Sequence, residues 1–448
     1  MKIVLTGGGT GGHFYPVIAV AEAIREFTKK LKLVSIELFF MSNNPYNTGI
    51  LFEHDIAYIP IAAGKIRRYF SVLNVTDIFK TIWGVLKSLF KIYSIFPDAV
   101  FGKGGFASFP ALIAARFLGI PVMIHESDTV PGRTNMWAGK FAKKIAVSYP
   151  QAAEYFPKAK AEGRVVVTGH PVREELRVPL TSGAREFLKL EDATPVILVL
   201  GGSLGAKIIN NTILDALPEL VKKFQIIHQT GKEHFQEVSM TADTLLSESP
   251  HKNRYKPFDY LNTLSMRMCA GVAQAAITRA GSTLFEIAWW GMPSIVVPIA
   301  SSNGNHQERN AYTYAESGAA IVIDEKNLKP HVLVSEVTRI IEDKALSEKM
   351  RAAAKKFVRP DAATKIAEIL LRLAVTHGQR QKKAKILPET AMAEAQKGKE
   401  ESPKKPGIVF TSQENIPDNV VMSDKTTEEL LREQLAAEQE QAKNVQEY

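Results

Sequence analysis

Residues 277–311, ITRAGSTLFEIAWWGMPSIVVPIASSNGNHQERNA, gather the densest set of groups able to hold a sugar or a nucleotide. The apolar run 275–278 reads as a buried strand end. Arg279-Ala280-Gly281-Ser282-Thr283 then turns the chain into a helix that Ser282 or Thr283 can cap. Glu286 falls three or four residues in, near the positive end of that helix. A carboxylate there can accept from ribose hydroxyls, or it can do no more than complement the helix dipole. Gly291-Met292-Pro293 stops the helix, 294–298 is a second apolar strand, and His306-Gln307-Glu308 enters the next helix. Imidazole and amide groups suit sugar hydroxyls, which both donate and accept. Two successive strand ends thus deliver polar groups to one sheet edge, where open α/β sheets bind ligands.

Three glycine-rich turns follow strands elsewhere in the chain. Gly7-Gly8-Gly9-Thr10-Gly11-Gly12-His13 follows strand 2–6, Gly102-Lys103-Gly104-Gly105-Phe106 follows 99–101, and Gly201-Gly202-Ser203-Leu204-Gly205-Ala206 follows 195–200. A helix comes after each, so backbone N–H groups there can face phosphate oxygens. Gly7, Gly9 and Gly12 also satisfy the dinucleotide fingerprint, which wants an acid at the end of the second strand. The strand 36–41 ends in Met41-Ser42-Asn43-Asn44, and Glu37 lies inside it, which weighs against a nicotinamide or flavin enzyme. His125-Glu126-Ser127-Asp128 closes strand 121–124 as a further polar cluster.

The elements that must position these groups form two α/β halves. The first has helices over 17–27, with Pro16 at its first position, and 109–118, and strands over 144–147 and 165–168. Residues 169–173 read as the crossing point. The second half has a helix running to Leu220, a strand over 224–228, and closing helices over 332–341, 346–357 and 362–374. Residues 75–96 carry apolar side chains at 75, 78, 79, 82, 86, 89, 90 and 93, a helical period. Lys80, Lys87 and Lys91 share a narrow face of it. The helix can pack on a sheet, or lie on a membrane as a basic amphipathic helix. The apolar arc is wider than one packed face needs, which favours the membrane.

The chain has 448 residues, 45% of them hydrophobic, enough for real cores. A single cysteine, Cys269, excludes an intramolecular disulfide and fits a reducing compartment. No run of about 20 uncharged apolar residues marks a transmembrane helix, and the first residues read as a strand rather than a signal peptide. The net charge is +9, and residues 376–448 hold 11 Lys/Arg against 13 Asp/Glu, so the first 375 residues carry +11. That excess suits anionic partners: nucleic acid, membrane or phosphorylated substrates. Residues 376–401 are Gln-, Lys- and Glu-rich, Pro403 and Pro406 follow, and 376–448 is expected to be largely disordered, with a weak helix at 427–443. The expected organisation is an N-terminal Rossmann-like domain over 1–168, a second over 169–345, closing helices over 346–375 that return to the first domain, and the tail.

The ordered set GGGTGGHFYP (7–16), GKGGFASFP (102–110), HESD…PG (125–132), GHPVR (169–173), GGSLGA (201–206) and the 277–311 stretch resembles the MurG family. These are undecaprenyl-diphospho-muramoylpentapeptide N-acetylglucosaminyltransferases of peptidoglycan synthesis. The resemblance covers roughly residues 1–374 and implies a GT-B fold, two parallel-sheet domains facing across a cleft. It implies inverting transfer of N-acetylglucosamine from UDP-N-acetylglucosamine to the 4-hydroxyl of the muramoyl sugar of lipid I, giving lipid II. It further implies an anionic membrane surface as partner at the cytoplasmic face, possible partners in cell-wall synthesis, and no nucleic acid. Glu286 matches the ribose-binding glutamate. Ser203 with Gly202, Leu204 and Gly205 matches the pyrophosphate contact, and Arg173 the arginine on the donor side. His306 and Gln307 match the pair on the donor sugar. Thr10, Gly11, Gly12, Gly104 and Gly105 match the acceptor's diphosphate region. The family usually has Asn where this chain has Asp128. Residues 258–273 align poorly with the segment carrying the uracil contact, so no residue is assigned to it.

Inverting transfer needs a base near the attacking hydroxyl and a counter-charge for the departing diphosphate. His13 is the favoured base because its ordinary pKa lies near neutrality; Asp128 is the alternative, and His13 could instead only hold its turn or contact the acceptor diphosphate. No Asp-x-Asp motif occurs, so neither a metal nor another cofactor is expected. Arg173 and the helix starts at 201–206 and 279–283 can hold the leaving charge. A transferase acting on another lipid or glycan, and a membrane scaffold that binds a nucleotide sugar without turnover, are the competing readings.

Overall fold

Long apolar runs such as VILVL (196–200) and AVF (99–101) predict strands covered on both faces, and in the computed structural model these two are central strands of two sheets. The structure describes residues 1–8, 10–30, 36–64, 73–202, 205–300 and 302–397. The first sheet contains β1 (Lys2–Thr6), β2 (Glu37–Ser42), β3 (Ile56–Pro60), β4 (Ala99–Gly102), β5 (Val122–Glu126), β6 (Lys144–Val147) and β7 (Val165–Val167). The second contains β8 (Val196–Leu200), β9 (Gln225–Gln229), β10 (Tyr255–Phe258), β11 (Ala273–Thr278), β12 (Ser294–Val296) and β13 (Ala320–Val322). Their orders are β3-β2-β1-β4-β5-β6-β7 and β10-β9-β8-β11-β12-β13, every pairing parallel.

In both sheets the strand order reverses once, between β1 and β4 and between β8 and β11. A reversal leaves a crevice beyond the strand ends, because the two flanking helices leave to opposite faces. The glycine turns after β1, β4 and β8 and the 279–283 turn after β11 sit at these two crevices. So the chemistry-bearing turns lie at the places where parallel sheets bind ligands.

The helix after β1 starts at Gly11 and runs to Lys30, six residues earlier than its apolar period predicts. The Thr10 carbonyl accepts from the N–H groups of His13 and Phe14, so the glycine turn is itself the first helical turn. Pro16 therefore lies inside the helix, where its ring removes one backbone donor but keeps a helical φ. Ser282 precedes the helix Thr283–Trp289 with helical dihedrals and makes no side-chain cap bond, contrary to the expected capping. The closing helices are Pro330–Glu342, Lys344–Phe357 and Ala362–Lys397. The last returns to the first sheet: Ala363, Ile366, Ala367, Leu370, Leu371 and Ala374 join Phe14, Val17, Ile18 and Ala21 in one apolar cluster. It continues past residue 376, where the tail was expected to begin; Lys, Gln, Arg and Ala there are strong helix formers. The rest of the expected tail, with its 427–443 helix, lies outside the described residues. No described helix is long and apolar enough to cross a membrane.

Candidate active site

His13 occupies the first turn of the helix Gly11–Lys30, close to its positive end. Its Nδ1 lies 3.1 Å from Thr10 Oγ1, which fixes the ring's orientation. Burial lowers its pKa to about 4, helped by the charge of Lys103 and by His306 across the cleft, with Asp128 opposing. The helix dipole acts in the same direction. Gly105, at φ 80°, has its open side toward the Gly8 carbonyl and the His13 ring; an added Cβ would come within 2.8 Å of that carbonyl oxygen. Gly104 likewise sits against the amide of Asn135, and Gly11 against the Tyr46 hydroxyl. Gly12 faces Ser282 of the other domain so closely that a Cβ would lie 3.1 Å from its Oγ.

Beneath the two N-terminal glycine turns lies a buried ionic cluster. Lys103 is almost fully buried, and its ammonium donates to Ser127 Oγ. Glu126 accepts from the N–H groups of Asp128 and Gly132, both at 3.0 Å, and from Asn135 Nδ2 at 2.9 Å. Burial pushes the Glu126 carboxyl up and the Lys103 ammonium down, while their mutual attraction resists both shifts. Burial also holds His125 and His170 well below the usual histidine range, with Lys103 adding to it. His125 bonds the Gly169 carbonyl and His170 stacks on Phe285, which anchors both at the domain crossing.

Asp128 is tied across the cleft. Asn310 Nδ2 donates to Asp128 Oδ1 at 2.9 Å and to the Ala280 carbonyl at 3.0 Å. Its Oδ1 accepts from the N–H and the hydroxyl of Thr129, both at 2.9 Å. All four hydrogen-bonding positions of this buried amide are thereby used. Asp128 thus joins the two domains as well as facing His13.

On the donor side, Arg173 and Glu286 line one small pocket with Tyr15, His170 and Ser282. The Arg173 guanidinium stacks over the Tyr15 ring at 3.9 Å and donates to Thr263 Oγ1 at 3.0 Å. Its Nε is buried without a partner. Burial raises the pKa of Glu286, and Arg173 opposes this. The Tyr15 and Tyr260 hydroxyls meet across the cleft. The Gly202 carbonyl accepts from Gln229 Nε2, and Gly205 abuts the Thr230 carbonyl; Ser203 and Leu204 lie outside the described residues. His306 opens the helix His306–Glu316. Gln307 uses its Oε1 to accept from the Ile299 N–H at 3.1 Å, so its oxygen shapes the loop ahead of that helix. Among the described residues, no group of three or more His, Cys, Asp or Glu is placed to hold a metal ion.

Lys103, Tyr15, Tyr260 and Asn310 are site residues that the sequence reading did not single out. Lys103 carried a signal, since a lysine between the glycines of a strand-end turn is unusual for a solvated residue. The other three act through partners far away in sequence, and nothing local marks them.

Residues 3–147 match the model of the glycosyltransferase family 28 N-terminal domain, and residues 196–366 that of its C-terminal domain. A UDP-N-acetylglucosamine–N-acetylmuramyl-(pentapeptide) pyrophosphoryl-undecaprenol N-acetylglucosamine transferase of Treponema denticola is 36% identical over 357 residues, 77% of this chain and 88% of the relative. The like-named protein of Clostridium novyi is 35% identical, covering 77% and 91%. Among solved structures, Acinetobacter baumannii MurG superposes with a TM-score of 0.60 at 24% identity, over 82% of this chain and 98% of that one. The UDP-GlcNAc 2-epimerase of Neisseria meningitidis bound to UDP-GlcNAc gives 0.58 at 16% identity, over 83% and 100%. These two likenesses speak for the two-domain fold alone. With both domain models matched in order and relatives above one-third identity over most of the chain, the protein belongs to glycosyltransferase family 28, among the UDP-N-acetylglucosamine–N-acetylmuramyl-(pentapeptide) pyrophosphoryl-undecaprenol N-acetylglucosamine transferases.

Proposed function

We propose that this chain transfers N-acetylglucosamine from UDP-N-acetylglucosamine to the 4-hydroxyl of the muramoyl sugar of undecaprenyl-diphospho-muramoylpentapeptide, with inversion, at the cytoplasmic face of a membrane. The observation that carries it is the pairing of Arg173 and Glu286 in one cleft pocket, whose Ser282 lies against Gly12, the neighbour of His13. Glu286 accepts from the ribose hydroxyls. Arg173, with an unspent buried Nε–H, meets the diphosphate together with the turn at 201–206. His13 takes the proton of the attacking hydroxyl at Nε2 when Nδ1–H donates to Thr10. The new bond joins that oxygen to the anomeric carbon, the bond to the diphosphate breaks, and the electron pair leaves with UDP. A donor diphosphate brings negative charge near His13 and raises its pKa from about 4 toward neutrality, where a base works best. Asp128, committed to Asn310, positions the acceptor.

The membrane part rests on the helix Leu73–Ile95. Its buried stripe runs through Asp77, Gly84, Ser88 and Ile92, small or polar except for the last. Phe79, Trp83 and Phe90 are 68%, 65% and 67% exposed on the outer side, and Phe117 of the neighbouring helix is 71% exposed. A helix packed as a core element would show the reverse. Lys80 pairs with Asp77 at 3.4 Å, while Lys87 and Lys91 flank the apolar arc. The deciding experiment is a transfer assay with UDP-N-acetylglucosamine and a short-chain acceptor, with and without a chelator. Transfer that survives chelation is expected; no transfer overturns the assignment, and loss restored by magnesium overturns leaving-group stabilisation by Arg173 and the helix starts.

A further inference from the structure

The helix His306–Glu316 has a second working face. Its inner residues His306, Gln307 and Asn310 point to the cleft and the interdomain bridge. Asn305, Glu308, Arg309, Tyr312, Thr313 and Glu316, spaced by threes and fours along the opposite face, line a pocket of about 480 Å³. Thr129, Gln151 and Tyr155 of the first domain form the other wall. The volume is within the range of small-ligand sites, about 300–1,000 Å³. Arg309 donates to the Tyr155 hydroxyl, and neither it, Glu308 nor Glu316 forms an ion pair among the described residues.

The geometry points to a binding site for the acceptor's peptide in this pocket, with Arg309 taking a peptide carboxylate; the inference rests on the function proposed above. In a muramoyl sugar the lactyl ether that carries the peptide is on the carbon next to the attacking hydroxyl. A hydroxyl held at His13 and Asp128 therefore starts the peptide within one sugar carbon of Asp128. Thr129, the next residue, is already part of the pocket wall, and Asn310 holds both residues. A peptide attached through its N-terminus keeps a free C-terminal carboxylate, which a guanidinium fork matches. Gln151, Asn305 and Thr313 can serve peptide amides, and the tyrosines its aliphatic side chains. Glu308 and Glu316 limit the negative charge that Arg309 can hold, so a single carboxylate fits this pocket better than a diphosphate.

The test uses two short-chain acceptors that differ only beyond the lactyl group, one bearing the pentapeptide and one a simple amide. The unaltered enzyme should show a lower KM for the first. Arg309→Ala should raise that KM about tenfold, with kcat and the donor KM unchanged and the amide acceptor unaffected. Arg309→Lys should recover part of the loss. Arg309 is exposed, so folding is not at stake. Equal KM values for the two acceptors, or an equal rise for both in R309A, would overturn the peptide site. If neither acceptor reacts, the transfer reaction itself is refuted. The pocket is then judged by saturation-transfer NMR with soluble N-acetylmuramoyl-pentapeptide: signal lost in R309A supports it, and equal or absent signal with both proteins rejects it.

Discussion

His13 is a weak base before the donor arrives and a good one after it, and this difference can be measured. Protonation removes the base, so activity must fall as pH drops through its pKa. The acid limb of kcat/KM for the donor reports the free enzyme and should lie near pH 4. The limb of kcat reports the complex and should lie higher, because the bound diphosphate favours the imidazolium. His13→Ala should lower kcat by about 10²- to 10⁴-fold. Coinciding limbs in both profiles, both lost in H13A, would remove the electrostatic coupling while keeping the base. Glu286→Ala should raise the donor KM by about tenfold or more, since a charge-assisted hydrogen bond contributes about 1.5–3 kcal/mol. An unchanged donor KM would place the ribose elsewhere. Arg173, Glu286 and His13 were legible in the sequence because each belongs to a local motif at a strand or helix end. Lys103 and Asn310 were not, because their roles exist only once Asp128 and Glu126 are folded beside them.

Among the elements, the helix Leu73–Ile95 is where the sequence left two readings and the structure weighs between them. The apolar period alone cannot say which way the arc faces. Gly84 helps decide it: a Cβ there would come 1.7 Å from the Ala62 carbonyl oxygen, so this side is pressed to the domain and the aromatic side is free. Each lysine near an anionic leaflet contributes about 1 kcal/mol, and the aromatics add insertion. The triple change of Lys80, Lys87 and Lys91 to Glu should abolish binding to anionic vesicles and spare transfer to a soluble acceptor. Trp83→Ser should weaken binding less and make it more salt-sensitive, because the electrostatic part then dominates. Cosedimentation with vesicles at two salt concentrations measures both, and parental binding by the Glu variant would move the docking surface elsewhere. Other elements were illegible for a plain reason. The strand β3, the helix Thr263–Val272 and the early start at Gly11 have short or mixed patterns, and tertiary contacts decide them.

At the scale of the whole molecule, the two-sheet plan was readable from the alternation of buried strands and helices, and a return to the first domain was expected but placed too early: Met350 of the helix Lys344–Phe357 packs in the second domain's core, and only the next helix crosses back. The helix Ala362–Lys397 follows the second domain in sequence and completes the first domain's core, filling the face of the helix Gly11–Lys30. A period of apolar residues at 366, 367, 370, 371 and 374 announces an amphipathic helix without naming its partner. The return has a thermodynamic consequence. Ile366, Leu370 and Leu371 are fully buried, and removing one such side chain from a core costs about 2–5 kcal/mol. Losing all three at once approaches the whole stability of a domain, about 5–15 kcal/mol. A chain ending after Asp361 should therefore leave the first domain unfolded while the second keeps its own core of β8, β9, β11 and β12. Buried positions continue to Gly378, so a chain ending after Gln379 should keep both the fold and transfer to a soluble acceptor. Heat denaturation of the shorter chain should show one remaining transition, with amide exchange protection lost over β1 to β7 and retained over β8 to β13. If protection persists in β1 and β4 without residues 362–379, the returning helix is an accessory and the first domain's core is self-sufficient. If instead the chain ending at Gln379 loses activity, residues beyond the helix's packed portion belong to the working enzyme.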